Sequence, residues 1–277
     1  MMVGISMSDL GQALELLHGH LGGWQTLRAS GRDWKHVDRY MDAFRRATAN
    51  PSGSGGRSSA TIVSFRKIGR STARPATPEP TELEECWRLW LEKPDRKRVQ
   101  FAVGDEAVTA IFHGDTWWSW SPNQGGRTNN GRPNHRHGAG PSEGLIDTAT
   151  LPAVLRLEVV RRGRFLDRDA LQLRGLPRVA PDRGSTVLPM HSLHALGMGA
   201  DDYLLTLDIG TGVLLRSEAR LDSTPFRIIE VSELAVDEEL PAGTFDVELP
   251  RGDTFQDVGA SPARPPRGGH WLRRLAR

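Results

Sequence analysis

The sequence predicts an α+β fold: a single curved antiparallel sheet, an unclosed half-barrel, with helices covering its concave face. Three observations predict it. The hydrophobic period is two from Trp87 to Val103 and again from Tyr203 to Leu234. Glycine-bearing turns punctuate both runs, as consecutive hairpins require. Helical spacing occurs in short stretches outside those runs.

Taken in order, the first element is a helix from Met7 to His20. Its apolar Leu10, Ala13, Leu14, Leu16, Leu17 and Leu21 recur every three or four residues, with Ser8 as N-cap and Gly22-Gly23 as the stop. A second, more polar helix runs from Val37 to Ala47 with Tyr40, Met41 and Phe44 on one side, ending at Asn50-Pro51. The Ser52 to Gly56 run that follows reads as a linker. Trp87, Leu89 and Leu91 then alternate with Arg88, Trp90 and Glu92, and Arg98 to Ser121 forms a meander broken at Gly104-Asp105 and Gly114-Asp115. Ser121 to Gly144, rich in Gly, Asn, Pro and Arg, is expected to be a long surface loop. Leu151 to Val160 regains helical spacing, Leu171 to Leu176 reads as a strand, and Pro181 to Ala200 reads as irregular. Tyr203 to Ile209, Val213 to Arg220 and Phe226 to Leu234 make three more antiparallel strands, with turns at Gly210-Thr211-Gly212 and Asp222 to Pro225. The expected organisation is one domain over residues 1–250, with additions at about 37–81 and 121–144, and a flexible basic tail over 251–277.

Composition narrows the function classes. The 277 residues carry 36 Lys+Arg against 34 Asp+Glu and are 38% hydrophobic, which suits a folded chain with a sizeable core and excludes wholesale disorder. Cys86 stands alone, so neither an intramolecular disulfide nor a Cys-based zinc site is available. The basic residues are nearly all Arg and are mixed with acids along the chain, which argues against specific nucleic-acid binding; the exception is the tail around Trp271 to Arg277, expected to be disordered. No window is long and apolar enough for a transmembrane segment. Met1 to Leu17 is interrupted by Ser8, Asp9, Gln12 and Glu15, so no secretory signal is visible and a cytoplasmic location is expected.

Motifs of catalysis are missing: no phosphate loop, no His-Glu-x-x-His and no Gly-x-Ser-x-Gly occurs. Gly53 to Gly56 lacks the preceding apolar strand of a dinucleotide fold. Asp208-Ile209-Gly210-Thr211-Gly212 has the outline of an Asp-x-Gly-Thr phosphate loop, but the hairpin-turn reading is favoured because its two glycines suit a tight turn. His135 and His137, with His113, His191 and His194, have no carboxylate nearby in sequence and read as loop histidines, not as metal ligands. The tryptophans are more informative. Trp117, Trp118 and Trp120 stand on one strand and Trp87 and Trp90 on an earlier one, as core beneath the helices or as the lining of an apolar cavity. Trp118 and Trp120 share a face and are the better pocket candidates.

Several stretches resemble a known family. They are the N-terminal helix leading to Trp24 and Leu27; the strand Trp87 to Lys93 followed by Pro94-Asp95-Arg96 and the strand from Arg98; the hairpin ending Gly114-Asp115-Thr116-Trp117; and the run Tyr203 to Phe245, above all Leu207 to Arg216 and Leu240-Pro241-Ala242-Gly243-Thr244-Phe245. In these the chain resembles the LolA, LolB and RseB superfamily of bacterial lipoprotein carriers and envelope-stress sensors, particularly its divergent actinobacterial versions. The resemblance implies an unclosed antiparallel sheet whose concavity holds acyl chains or apolar peptide surface without catalysis. The resemblance also implies a leader sequence, which Met1 to Leu17 is not expected to supply.

The resulting expectation is non-enzymatic binding of an apolar small molecule, an acyl chain or lipid, without cofactor, metal or catalytic residue. The ligand-binding set is Trp87, Leu89, Phe101, Trp118, Trp120, Leu205, Leu207 and Leu215, beneath a lid helix carrying Leu10, Leu14, Leu17 and Leu21. The alternative is a regulatory module of the stress-sensor type that binds a protein partner through its sheet edge or long loops.

Overall fold

The computed structural model describes residues 7–19, 23–48, 81–103, 106–132, 140–178, 193, 195–249 and 252–258. Twelve described strands form one sheet: β1 (Thr26–His36), β2 (Glu82–Glu92), β3 (Arg96–Val103), β4 (Glu106–His113), β5 (Thr116–Ser121), β6 (Gly125–Thr128), β7 (Leu155–Phe165), β8 (Arg168–Pro177), β9 (Asp202–Asp208), β10 (Leu214–Leu221), β11 (Thr224–Val236) and β12 (Phe255–Asp257). Their spatial order is β12-β6-β5-β4-β3-β2-β1-β11-β10-β9-β8-β7. Every neighbouring pair is antiparallel except β12 with β6, and the end strands β12 and β7 do not meet, so the sheet is unclosed. Two meanders are therefore joined through β1 and β11 at the centre.

The helices are few and short: α1 (Met7–Gly19), α2 (Val37–Thr48), and the single turns α3 (Glu143–Ile146) and α4 (Leu151–Val154). They lie on one face, with α1 against β7 and α4, α2 against β1 and β11, and α3 against β10. No helix among the described residues is long and apolar enough to cross a membrane. Beneath them lies the core, where Trp87, Leu89, Val99, Leu171, Leu173, Leu205, Leu207, Phe226 and Ile229 are all buried. Ala13 and Leu17 of α1 and Ala43 of α2 close it from above. The fold is thus mostly β, with the sheet supplying nearly all the core and each helix a few side chains.

Three readings need correction, and one strand, Thr26–His36, has no counterpart among the expected elements. Thr26–His36 carries no apolar alternation, yet it is the central strand. Its helix-facing positions include Gly31, Asp33 and Lys35, all buried. A Cβ on Gly31 would lie 2.3 Å from the Trp87 ring and 2.1 Å from the Glu230 carbonyl oxygen, so a side chain there would displace the indole that fills the space. Asp33 is tolerated because Arg227 grips it with two hydrogen bonds of 2.9 Å and Lys35 Nζ lies 3.0 Å away; Lys35 also donates to Glu85 at 2.9 Å.

The expected helix over Leu151 to Val160 is a single turn, α4, after which Leu155 begins β7. Pairing with β8 overrides the local helical spacing there, because each β7 residue except the bulged Val160 gains a cross-strand neighbour. Within the expected loop Ser121 to Gly144, Gly125–Thr128 pairs with β5 as β6. The start of the expected tail, Phe255–Asp257, pairs with β6 as β12. Residues 133–139 and 259–277, Leu21, the Ser52 to Gly56 linker, and His135, His137, His191 and His194 lie outside the described residues.

Asp208 of the Asp-Ile-Gly-Thr-Gly run closes a hairpin turn. Its backbone N–H donates to Val213, its carboxylate accepts from Thr211 Oγ1 at 2.6 Å, and Arg168 holds both oxygens at 2.9 and 3.0 Å. The turn therefore consumes the groups that a phosphate would need.

Candidate functional site

Strand register decides which predicted residues meet. Paired residues in antiparallel strands point to the same face. Trp87 opposes Phe101, and Leu89, Val99 and Ala110 form a row that continues to Ser119. On the far side, Leu171, Leu207 and Leu214 form one row and Leu173, Leu205 and Ser217 another. All of these face the helices. Trp87, Leu89, Leu205 and Leu207 are at most 2% exposed, and Phe101 is half-buried against the core. Leu215, at a register shift in β10, is fully buried outside that core. Leu17 of the lid helix is buried, and Leu10 and Leu14 pack half-buried on the core.

Trp118 and Trp120 do not join this set. Arg98 opposes Trp90 and Ile111, Ile111 opposes Trp118, and Thr109 opposes Trp120, placing these residues on the face away from the helices. The expectation that both indoles share a concavity with Phe101 and Leu205 is corrected. They share a face with each other, but it is the opposite one.

That second face is crossed by the chain after β11, a strap over residues 237–249 and 252–257. Asp237 accepts the backbone N–H groups of Gln25 and Thr26 at 2.6 and 3.2 Å, and these two bonds hold its carboxyl below the usual carboxylate range. Thr26 Oγ1 then donates to the Glu238 carbonyl at 2.8 Å. Further on, Arg98 Nη1 donates to the Thr244 carbonyl at 2.9 Å, and His113 Nε2 lies 3.2 Å from the Phe245 carbonyl oxygen. Phe245 is buried, with the Arg96 guanidinium 5.2 Å from its ring centroid. Trp120 Nε1 donates to Asp253 at 3.0 Å, and β12 completes the crossing.

Between strap and sheet lies a groove of about 420 Å³. Its sheet side is built by Arg98, Ile111, Trp118 and Trp120, its strap side by Gly243, Asp246, Val247 and Phe255. Both indoles are half-buried. The Trp118 ring meets His113 edge-on at 5.3 Å. Arg98 sits 5.8 Å from the Trp90 centroid, and its buried Nε has no hydrogen-bond partner among the described residues. The groove thus combines aromatic faces, a guanidinium with a donor to spare, and carboxylates on the opposite wall. These are the parts of a recognition site for an amphipathic molecule.

Arg98, Val247 and Phe255 were not singled out in the sequence. Arg98 had a detectable signal, since it alternates with Val99 on a strand next to Trp90; in the strap only Leu240 to Phe245 stood out, as a family resemblance, and nothing local placed it over the sheet, because its contacts span more than a hundred residues. On the helix-covered face, Lys97 lies 4.2 Å from the Phe112 centroid, where burial lowers its pKa against the opposing pull of Glu143 and Asp147.

No protein-family model matches the sequence, and no curated protein matches it. Among solved structures the chain is similar to MucB at 11% identity and a TM-score of 0.49, over 88% of this chain and 65% of that one. It thus spans less than two thirds of the MucB chain. It is also similar to a conserved protein from Thermus thermophilus, at 10% identity and a TM-score of 0.47, over 90% and 98% of the two chains. A LolA superfamily protein from Nitrosomonas europaea is similar at 13% identity and a TM-score of 0.28, over 88% and 98%. These likenesses concern the path of the chain; the chemistry of the groove rests on its own residues.

Proposed function

We propose that the protein is a non-catalytic binding module that holds an amphipathic acyl-type ligand in the strap groove, its chain along Trp118 and Trp120 and its anionic end toward Arg98. The observation that carries this reading is the preformed groove itself, with two half-exposed indoles and a guanidinium on the same wall. The helix-covered face, by contrast, is filled by its own leucines. Covering roughly 200 Å² of apolar surface would contribute about 5 kcal/mol before the entropy of association is subtracted.

Titration with dansylated undecanoic acid, followed by indole-to-dansyl energy transfer, tests the reading. Trp118→Ala and Trp120→Ala are expected to weaken binding at least tenfold, and Arg98→Gln to weaken the acid while leaving the matching alcohol unchanged. Mass spectrometry of an organic extract of the purified protein is expected to show an acyl compound. Undiminished affinity in both Trp variants overturns the reading, and loss of affinity in Leu10→Gln instead would move the ligand beneath α1.

A further inference from the structure

The far end of the sheet presents a different surface. β7 is an end strand: β8 pairs with one side of it, and no described strand pairs with the other. Alternate backbone N–H and C=O groups along that side therefore lack a ladder partner among the described residues. Its sequence, Leu-Arg-Leu-Glu-Val-Val-Arg-Arg-Gly-Arg-Phe, holds four arginines against one glutamate, a net charge of +3 (4 − 1) in eleven residues. The register distributes them over both faces. Arg161 opposes Gln172 on the face away from the helices and hydrogen-bonds it at 2.8 Å. Arg162 opposes the core residue Leu171 on the other face, where it donates to Gln12 of α1 at 2.6 Å. The side chains of Arg156 and Arg164 are 66% and 65% exposed. From the edge a groove of about 410 Å³ runs inward over the sheet, from Arg161, Arg164 and Phe165 past Gln172 and Thr206 to Arg216 and Glu218.

We propose that this edge docks an acidic, extended polypeptide, which adds to the sheet next to β7. Two features select that occupant. Open backbone donors and acceptors in alternation are satisfied by another peptide chain and not by a nucleic-acid backbone, which carries acceptors alone along its phosphates. The positive charge repels a second copy of β7, which would bring the same +3, and attracts a run of Asp and Glu whose side chains fall to both faces within reach of Arg161, Arg162 and Arg164.

The test uses the full chain and a fluorescein-labelled ten-residue peptide of the repeat Glu-Glu-Val-Val, which places Glu on both faces of an extended strand. Saturable anisotropy is expected at low salt, falling at least tenfold in affinity between 50 and 300 mM NaCl as screening sets in. Amide exchange should slow along 156–164 on binding. Arg161→Glu combined with Arg164→Glu, both surface changes, is expected to abolish binding, whereas Trp118→Ala, in the separate groove, leaves it intact. The proposal is overturned by absence of binding, by binding without protection of β7, or by an oligothymidylate that binds the same edge as tightly as the peptide.

Discussion

The two faces of this sheet solve opposite problems with the same strands. The helix-covered face is aliphatic and closed, and its charges are paired at depth: Asp33, Lys35, Glu85 and Arg227 form a compact network in which Asp33 is fully buried. The strap-covered face keeps Trp118 and Trp120 half-exposed along its groove. The difference teaches where free volume remains: the aliphatic face is filled by its own side chains, and the partly covered aromatic face holds a groove of about 420 Å³.

The comparison breaks first at Asp33. Asp33→Ala leaves Arg227 and Lys35 buried without their shared carboxylate and is expected to cost about 3–5 kcal/mol in urea unfolding. Its pH dependence sharpens the point. Burial alone would raise the Asp33 pKa, but Arg227 and Lys35 more than offset it, so the folded value is lowered. A lowered folded pKa contributes stability above the unfolded value, about 3.9, that is lost as pH falls through the folded one. Acid unfolding of the native chain should therefore steepen below about pH 4, and Asp33→Asn should flatten that slope.

Next in size is Leu205→Ala on the closed face, expected to cost about 3 kcal/mol by leaving a cavity in the core. The matched truncation Trp118→Ala should cost about 1 kcal/mol, because half the indole already faces the groove, so the same calorimetric series separates a core from a site. An equal loss in both would erase the distinction between the faces. The smallest effect is expected for Arg162→Ala, under about 1 kcal/mol, since its contacts to Asp9 and Gln12 are partly exposed. Faster amide exchange confined to α1 is the measurement that detects it.

Much of the fold was legible because period is a local property. α1, α2 and the strands β2 to β5 and β8 to β11 all follow from apolar spacing and glycine turns. β1 was not legible, since its inward Gly31, Asp33 and Lys35 make sense only against Trp87, Arg227 and Glu85 on neighbouring strands. β6 and β12 are too short and too polar to announce themselves, and they exist by pairing with each other and with β5. Trp118 and Trp120 share a face, as alternation on one strand requires, but the sequence also grouped them with Phe101, Leu205 and Leu207, which lie on the other.

By itself, then, the sequence determined which residues alternate and where hairpins turn. Tertiary structure decided which face each alternation presents to the helices. Parity within a strand is set by the two-residue repeat, but parity between strands is set by hairpin register, where a one-residue difference exchanges inside for outside. The strap then made a groove of the outward face, through contacts between residues more than a hundred positions apart that no local pattern encodes.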